Sequence, residues 1–178
     1  MAIYGSYGND TLNGTELRDL IYARSGDDSL FGNGGNDTLN GGAGSDTLNG
    51  GNGADRLRGG GGHDVLNGGA GADTLTGGPG VDEFAFSNLE TGDRITDFTT
   101  GVDKLVVGDL ITASALHWIG VSAFSGIAGQ ARFANGVFSI DVDGDRTADF
   151  SVAIVGQLHE TDLSFATGLG GDGNPWDY

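Results

Sequence analysis

The feature that most constrains the fold of this chain is a nine-residue period that runs unbroken from residue 5 to residue 85. The successive blocks are GSYGNDTLN, GTELRDLIY, ARSGDDSLF, GNGGNDTLN, GGAGSDTLN, GGNGADRLR, GGGGHDVLN, GGAGADTLT and GGPGVDEFA. All nine carry Asp at position six and an apolar residue at position eight, and eight of the nine have Gly at positions one and four. Such a period is typical of a solenoid, in which each repeat packs on its neighbours.

Each block divides into a turn and a short strand. Glycine at positions one, two and four allows positive φ angles and a tight turn whose carbonyl groups face inward. Positions seven to nine form a strand in which only the middle residue, such as Leu39 or Leu48, points inward. One turn and one strand reach halfway round a coil, so we expect two blocks per full turn and strands stacked about 4.8 Å apart.

This stacking places the position-six Asp residues in two files, one along each edge of the coil. The files are Asp10, Asp28, Asp46, Asp64 and Asp82, and Asp19, Asp37, Asp55 and Asp73. Ca²⁺ takes six to eight oxygen ligands at about 2.3–2.6 Å, which stacked carboxylates and turn carbonyls can supply, whereas Mg²⁺ demands tighter octahedral geometry. The four pairs of the first file and the three of the second predict about seven Ca²⁺ ions. In the first three blocks turn capping by Asp is the open alternative, because Leu17 and Arg24 stand where Gly would help the turn.

The blocks match the pattern G-G-x-G-x-D-x-U-x, and the chain therefore resembles RTX proteins with hemolysin-type calcium-binding repeats. This resemblance implies a right-handed parallel β-roll over residues 5–85, with carbonyl ligands from positions two and four of one turn and one and three of the next. The metal ligands that it implies are Ser6, Gly8, Asp10, Arg24, Gly26, Asp28, Gly32, Asn33, Gly34, Gly35, Asp37, Gly41, Gly42, Ala43, Gly44, Asp46, Gly50, Gly51, Asn52, Gly53, Asp55, Gly59, Gly60, Gly61, Gly62, Asp64, Gly68, Ala70, Asp73, Gly77, Pro79 and Asp82. Asp97 is a further candidate ligand beyond Asp82, where the next stacked turn is missing.

Two implied sites illustrate the arrangement. They combine Asn33, Gly35 and Asp37 with Gly50, Asn52 and Asp55, and Gly42, Gly44 and Asp46 with Gly59, Gly61 and Asp64. The two sites lie on opposite edges of the roll.

From residue 86 the nonapeptide register stops, and we expect residues 86–165 to form a β-rich cap, followed by a tail over 166–178. Residues 93–105 and 131–155 resemble the C-terminal region of serralysin-type secreted metalloproteases. This resemblance implies a β-sandwich-like antiparallel region after the roll, which also carries a secretion signal.

Local patterns in this second half predict individual elements. Period-two alternation predicts strands over 138–142 and 150–154, the pair Asn135-Gly136 predicts a hairpin turn before the first of them, and residues 112–118 are a candidate short helix. Alternate carboxylates of a calcium loop occur at Asp141, Asp143 and Asp145, with Asp149 following, although the spacing is not that of an EF-hand. A solvated turn between the two strands is the alternative interpretation of this loop.

Composition excludes several classes of partner. The chain has 178 residues with 25 Asp and Glu against 8 Lys and Arg, and its formal charge of -17 argues against binding of nucleic acid and of anionic membranes. It has no Cys, hence no disulfide, and no apolar run of the roughly 20 residues that membrane insertion requires. The HExxHxxGxxH zinc motif and a phosphate-binding loop are also absent, so we expect no catalytic activity; an N-terminal catalytic domain such as a zinc metalloprotease would belong to a parent protein.

The core predicted for the roll is thin. Each block buries one large apolar side chain, worth about 1.5–3 kcal/mol, against nine ordered residues that each cost roughly 1–2 kcal/mol of backbone entropy. We therefore expect residues 5–85 to be unfolded at cytosolic calcium levels and folded at extracellular ones. The resemblance to RTX proteins implies export by a type I secretion apparatus, so the sequence predicts a folding and export module of a secreted, extracellular protein.

Two other interactions are open from the sequence. A polysaccharide-binding accessory module or an adhesin segment is the alternative function, and Arg56 and Arg58 point outward together as such a surface would require. An exposed apolar cluster at the N-terminal end of the roll indicates an interface, either with a parent N-terminal domain or with a second copy of the chain. The cluster comprises Tyr4, Tyr7, Leu17, Leu20, Tyr22 and Phe31.

Overall fold

The computed structural model describes residues 1–87, 91–108, 117, 118, 120, 122, 123, 125–127 and 130–165. The strands are β1 (Ala2–Tyr4), β2 (Thr11–Asn13), β3 (Leu20–Ser25), β4 (Ser29–Phe31), β5 (Thr38–Ala43), β6 (Thr47–Asn52), β7 (Arg56–Gly61), β8 (Val65–Ala70), β9 (Thr74–Thr76), β10 (Glu83–Phe86), β11 (Thr91–Ile95), β12 (Lys104–Val107), β13 (His117–Trp118), β14 (Gln130–Ala134), β15 (Val137–Asp141), β16 (Phe150–Ile154) and β17 (Leu163–Phe165). Among the described residues the one helical element is a 3-10 helix at Glu160–Asp162. The described part of the chain contains no helix that is long and apolar enough to span a bilayer. The all-β prediction is confirmed.

Two calls from the sequence fall on parts of the chain that the structure does not describe. The tail over 166–178 lies outside the described residues, as do residues 112–116 of the candidate helix. Residues 117 and 118 of that segment form β13 instead.

Two sheets form a parallel solenoid, and consecutive repeat strands alternate between them. One sheet has the order β1-β3-β5-β7-β9-β11-β16-β15-β14-β13, and the other has β17-β12-β10-β8-β6-β4-β2. Leu39 in β5 lies opposite Ile21 in β3 and Leu57 in β7. These partners are eighteen residues away on either side, so the predicted coil of two blocks per turn is confirmed.

Several repeat strands are longer than the three residues that the pattern predicts. β3, β5, β6, β7 and β8 have six residues each. Pairing continues into the turn because the glycine backbone stays close to its neighbours, as where Gly42 pairs with Arg24 and Gly60. Main-chain hydrogen bonds between successive coils therefore hold the turns as well as the strands.

The core is a double row of position-eight side chains between the two sheets. Its fully buried members within the repeats are Ile21, Leu30, Leu39, Leu48, Leu57, Leu66, Leu75 and Phe84. At the N-terminal end Ile3 and Leu12 are only partly buried, because no described turn covers them. The row continues beyond the repeats, where Ile95 pairs with Leu75 and Leu105 with Phe84.

The C-terminal strands extend the same two sheets. β16 pairs in parallel with β11, and β14, β15 and β16 form an antiparallel meander. Asn135 and Gly136, with φ angles of 54° and 76°, connect β14 to β15, as a two-residue hairpin turn requires. The predicted hairpin and the two predicted strands are confirmed. The antiparallel character expected of residues 86–165 holds only for the meander β14 to β16, because β11, β12, β13 and β17 pair in parallel with their neighbours.

Candidate metal centres

The position-six carboxylates form two hydrogen-bonded files, one at each edge of the solenoid. In each file, Oδ1 of one Asp accepts the backbone N–H of the Asp one full turn earlier, at 2.7 to 3.0 Å. Every position-six Asp from Asp19 to Asp82 is buried, with at most 2% exposure. The files thus hold their carboxylates in a fixed orientation inside the turns.

The second carboxylate oxygen is the chemically unusual group. Within the described part of the chain, Oδ2 finds no hydrogen-bond donor in Asp28, Asp37, Asp46, Asp55, Asp64 and Asp82. Burial raises the pKa of Asp46, Asp55 and Asp64 to about 6, and the neighbouring carboxylates of each file add to the effect. A buried, bare carboxylate oxygen is costly unless a cation or a proton satisfies it.

Position-one glycines leave the space that faces these oxygens. A Cβ on Gly59 would touch Oδ2 of Asp64, and the same contact recurs in the other middle blocks. These glycines do not have positive φ, so their role differs from the turn-forming one expected from the sequence. They are needed because any side chain would fill the cradle beside the carboxylate.

Positions two and four have the expected left-handed backbone. Gly42, Gly51, Gly60, Gly69 and Gly78 at position two have φ between 94° and 127°. Most position-four glycines also have positive φ, whereas Gly8 and Gly80 do not. Each of these position-two glycines lies directly against the position-two carbonyl of the preceding turn, and the glycines from Gly44 to Gly80 at position four lie likewise against the position-four carbonyl.

The implied site on Asp37 shows how far the ligands come together. Oδ2 of Asp37 and the carbonyl oxygen of Gly50 both lie within 2.6 Å of the point where Gly32 would carry a Cβ, and so they converge on one space. The carbonyl of Asn33 instead accepts the N–H of Asn52 at 2.7 Å, and the carbonyl of Asn52 accepts the N–H of Gly35 at 2.9 Å. These two oxygens therefore already take part in the backbone ladder, with a lone pair left on each.

The first two blocks differ from the middle ones. Ser6 donates its N–H and its hydroxyl to Oδ2 of Asp10 at 2.5 and 2.9 Å, and Thr15 does the same to Asp19 at 2.7 and 2.8 Å. In both blocks the carboxylate caps its own turn, which is the alternative that the sequence left open. Arg24 in the third block adopts φ of 88°, the backbone conformation that Gly has in later blocks.

Two Asp residues that the repeat pattern misses extend the files. The N–H of Asp73 donates to Oδ1 of Asp93 at 2.8 Å, and the N–H of Asp82 donates to Oδ1 of Asp103 at 3.0 Å. Asp97, which the sequence placed after Asp82, accepts instead the N–H groups of Gly77 and Gly78 at 3.0 and 2.9 Å. The sequence signal for Asp93 and Asp103 was the short Asp-x-apolar pattern at 93–95 and 103–105. Inserted residues interrupt the nine-residue period before each of them.

The acidic hairpin loop between β15 and β16 is a separate cluster. Carboxylate oxygens of Asp141, Asp143 and Asp149 lie within 4.8 Å of one another. The buried Asp141 accepts the N–H groups of Gly144 and Arg146 at 2.7 and 3.0 Å. Its oxygens are therefore satisfied by the loop itself, in contrast to those of the files.

Comparison with known proteins gives these repeats a family. The RTX calcium-binding nonapeptide repeat matches residues 4–39, 14–48 and 49–84. The chain is 42% identical over 80 residues to Metalloprotease AprA of Pseudomonas entomophila (strain L48), and 35% identical over 77 residues to Metallopeptidase AprA of Pseudomonas marginalis. Each match covers 40% of this chain and 16% of the metalloprotease.

A solved structure is also similar. It is the AlgE6R3 subunit of the mannuronan C5-epimerase from Azotobacter vinelandii, with 26% identity over 96% of this chain and 86% of that one. The TM-score between the two structures is 0.36.

Proposed function

We propose that this chain is a folding switch, which is unfolded at low calcium and folds when calcium binds. Its residues 4–84 are RTX calcium-binding nonapeptide repeats, and they resemble the C-terminal region of serralysin-type metalloproteases. The observation that carries the proposal is the set of buried carboxylate oxygens without a donor. Bound calcium would supply the positive charge that these oxygens lack. The same ions would offset much of the formal charge of -17.

The residues present fit calcium. In the middle blocks a bare carboxylate oxygen, as in Asp37, Asp46, Asp55 and Asp64, faces a glycine cradle without a side chain. Beside Gly32 and Gly50 a main-chain carbonyl faces the same space. Hard oxygen donors of this kind suit calcium, and no sulfur or imidazole ligand competes in the files. The ligands that we propose for each ion are the carboxylates of two stacked Asp residues and carbonyl oxygens of the two turns that carry them.

The seven pairs should not be equivalent. In the pairs Asp28/Asp46, Asp46/Asp64, Asp64/Asp82 and Asp37/Asp55, both carboxylates have a bare Oδ2. In the pairs that use Asp10 or Asp19, one carboxylate is already capped by Ser6 or Thr15. We therefore expect the middle pairs to bind most tightly and the pairs of the first two blocks to bind weakly.

Without calcium the fold has little to hold it. Burial raises the pKa of the inner Asp residues, which means that their ionised forms destabilise the folded state at neutral pH. The hydrophobic row supplies only one large side chain per block against the entropy of nine residues. Folding and calcium binding are then a single equilibrium.

The test is far-UV circular dichroism combined with isothermal titration calorimetry, as calcium is raised from chelator to roughly 10 mM, the range above the affinities of extracellular calcium modules. We expect a cooperative transition from coil to β structure that consumes several ions per chain. Magnesium over the same range is the control, and it should not produce the transition. A β-rich spectrum already present in chelator would contradict the proposal.

Export is the second half of the proposal, and it is tested separately. An unfolded chain can thread a secretion channel, and folding outside the cell would then follow from the higher calcium concentration there. The chain would be expressed together with a type I secretion apparatus and assayed in the culture medium. Retention in cells that export a control substrate would overturn the export role and leave the calcium switch intact.

A further inference from the structure

Asparagine precedes glycine at a recurring place in the repeats. Position nine is Asn in four blocks, and the next residue is the position-one Gly of the following block. The pairs are Asn13-Gly14, Asn40-Gly41, Asn49-Gly50 and Asn67-Gly68. Position one must be Gly, since a side chain there would fill the space beside the Asp carboxylate. An Asn at position nine is therefore always part of an Asn-Gly pair.

Asparagine is a thermolabile residue, and a following glycine makes it more so. The main-chain nitrogen of Gly attacks the side-chain carbonyl carbon of Asn, a C–N bond forms, and the amide nitrogen leaves as ammonia with the proton of the attacking N–H. Water then opens the cyclic imide at either carbonyl carbon, which leaves Asp or isoaspartate and returns a proton to the main-chain nitrogen. Gly favours ring closure because no side chain obstructs its nitrogen and its backbone rotates freely.

The folded solenoid opposes this ring closure. The reaction needs a Gly nitrogen that can lose its proton and a main chain that can rotate toward the Asn side chain. The N–H of Gly14 instead donates to the carbonyl oxygen of Phe31 at 2.7 Å. Gly41 lies in β5 between Asn40 and Gly42, which both pair with β7. These pairs can therefore react only when the ladder opens locally.

The four pairs differ in how much of the ladder encloses them. Asn67 is 5% exposed, and its strand β8 lies between β6 and β10. Asn49 is partly buried in β6, which lies between β4 and β8. Asn13 is exposed in β2, the last strand of its sheet. Because an end strand opens with the loss of fewer hydrogen bonds, Asn13 should be the least protected of the four.

The sequence holds three more Asn-Gly pairs, which lie in turns. They are Asn33-Gly34, Asn52-Gly53 and Asn135-Gly136. The first two again have an engaged Gly N–H, which donates to a carbonyl oxygen at 3.1 and 2.7 Å. The third is the exposed two-residue turn between β14 and β15. This last pair lies outside the ladder and serves as an internal reference.

We propose that the position-nine Asn residues are modification sites, which deamidate spontaneously in the calcium-free chain and are protected in the calcium-folded solenoid. The inference rests on the proposed calcium switch, because that switch decides whether the ladder exists. Isoaspartate lengthens the main chain by one carbon atom inside strands that pair residue by residue. A modified chain cannot restore the ladder, so time spent without calcium becomes a permanent loss of the ability to fold.

The experiment incubates the full chain at neutral pH for several days, in saturating calcium and in chelator. Samples are digested with a protease that cleaves before Asp, and the peptides are sequenced by tandem mass spectrometry. Because position six is Asp in every block, the peptides 10–18, 37–45 and 64–72 each contain one Asn-Gly pair. Newly formed Asp adds a cleavage site, whereas isoaspartate resists cleavage and is detected as a gain in mass.

The expected result is a difference between the two buffers and between the pairs. Asn40, Asn49 and Asn67 should deamidate at least about tenfold faster in chelator than in calcium, because the ladder must open before they react. In calcium, Asn135 should react faster than Asn67. Equal rates in the two buffers, or an Asn67 as reactive as Asn135 in calcium, would overturn the proposal.

The loss of folding is measured on chains that are aged in chelator and then returned to calcium. Size-exclusion chromatography separates the refolded fraction from the unfolded one, and isoaspartate at Asn49 should be confined to the unfolded fraction. Asn40→Thr combined with Asn49→Thr and Asn67→Thr should slow the loss of refolding, since three of the seven Asn-Gly pairs are removed. Asn9→Ser removes an Asn that Gly does not follow, and it should age like the unchanged chain. Equal isoaspartate in both fractions, or equal ageing of all three proteins, would refute the link to folding.

Circular dichroism at the start of each incubation separates this inference from the proposed function. A chain that is already β-rich in chelator overturns the calcium switch, and with it the calcium dependence of the modification. A chain that is coil in chelator and folded in calcium, yet deamidates equally fast in both, overturns only the modification sites.

Discussion

Acid should partly replace calcium in folding this chain. Burial raises the pKa of Asp46, Asp55 and Asp64 from the ordinary value of 3.8 to about 6. A carboxyl whose pKa is higher in the folded than in the unfolded state stabilises the fold fully below 3.8, and this contribution is lost as the pH rises through 6. The metal-free protein should therefore be least stable at neutral pH and gain stability on acidification.

The size of this gain follows from the shifts. Between pH 7.5 and pH 5 each of the three groups contributes about 1.4 kcal/mol, the value of one pKa unit, which sums to about 4 kcal/mol. The pKa values of Asp37 and Asp82 are raised by burial as well, and they act in the same direction. The hydrogen bond from the N-terminal amino group and those from Thr15 lower the pKa of Asp19. Ionised Asp19 therefore stabilises the fold, and this stabilisation is lost only when the pH falls below the ordinary pKa of an Asp side chain.

The assay is circular dichroism with urea titration in calcium-free buffer at pH 7.5 and pH 5. The lower pH is above the isoelectric point of about 4.1, so the chain keeps the negative charge that opposes precipitation. We expect more β structure and a higher urea midpoint at pH 5, with sedimentation confirming a monomer.

The control for this experiment is a variant that cannot titrate. Asp64→Asn should lose about a third of the gain, because one of three titrating groups is removed. Coil spectra at both pH values, or an undiminished gain in the variant, would refute the reasoning. In calcium the sign reverses, since protons compete with the metal for the same carboxylates.

Three substitutions, two of them with a matched control, test the solenoid itself. Gly59→Ala places a methyl group against the Asp64 carboxylate and should raise the calcium midpoint of folding. Gly61→Ala meets open space in the same turn and should change stability by less than about 1 kcal/mol. Equal calcium midpoints for the two variants would contradict the role of Gly59 in leaving space for the metal. Asp64→Asn should lower the number of ions bound in calorimetry, whereas Asp10→Asn should not, because that carboxylate already caps its turn. Leu66→Ala should cost about 2–5 kcal/mol in urea unfolding of the calcium form, since this side chain is fully buried; a cost below 1 kcal/mol would mean that the leucine row is not the core.

The repeat pattern predicted what depends on period alone. The two blocks per turn, the inward leucines and the stacking of Asp residues follow from nine-residue spacing, and the hairpin follows from Asn135-Gly136. Asp93 and Asp103 were missed because insertions between strands leave the three-dimensional stacking intact while they break the sequence period.

Local contacts were beyond the reach of the pattern. The sequence could not show that position-one glycine serves to leave space, since that depends on how Asp64 turns back onto Gly59. Turn capping by Asp10 was left open by the sequence, but its donor was hidden, because the spacing does not show what the Ser6 hydroxyl reaches.

The alternation of strands between two sheets sets a rule of parity for changes in length. Removal of residues 41–58 would bring Leu39 beside Leu75 and leave every later strand in its present sheet, because each strand already pairs with one eighteen residues away. Removal of only 41–49 would transfer Phe84 and all that follows to the opposite sheet, and the antiparallel meander would have to attach on the other side. Lineages of such chains should therefore gain or lose repeats in pairs, and an odd number should persist only where the end of the molecule has been rebuilt.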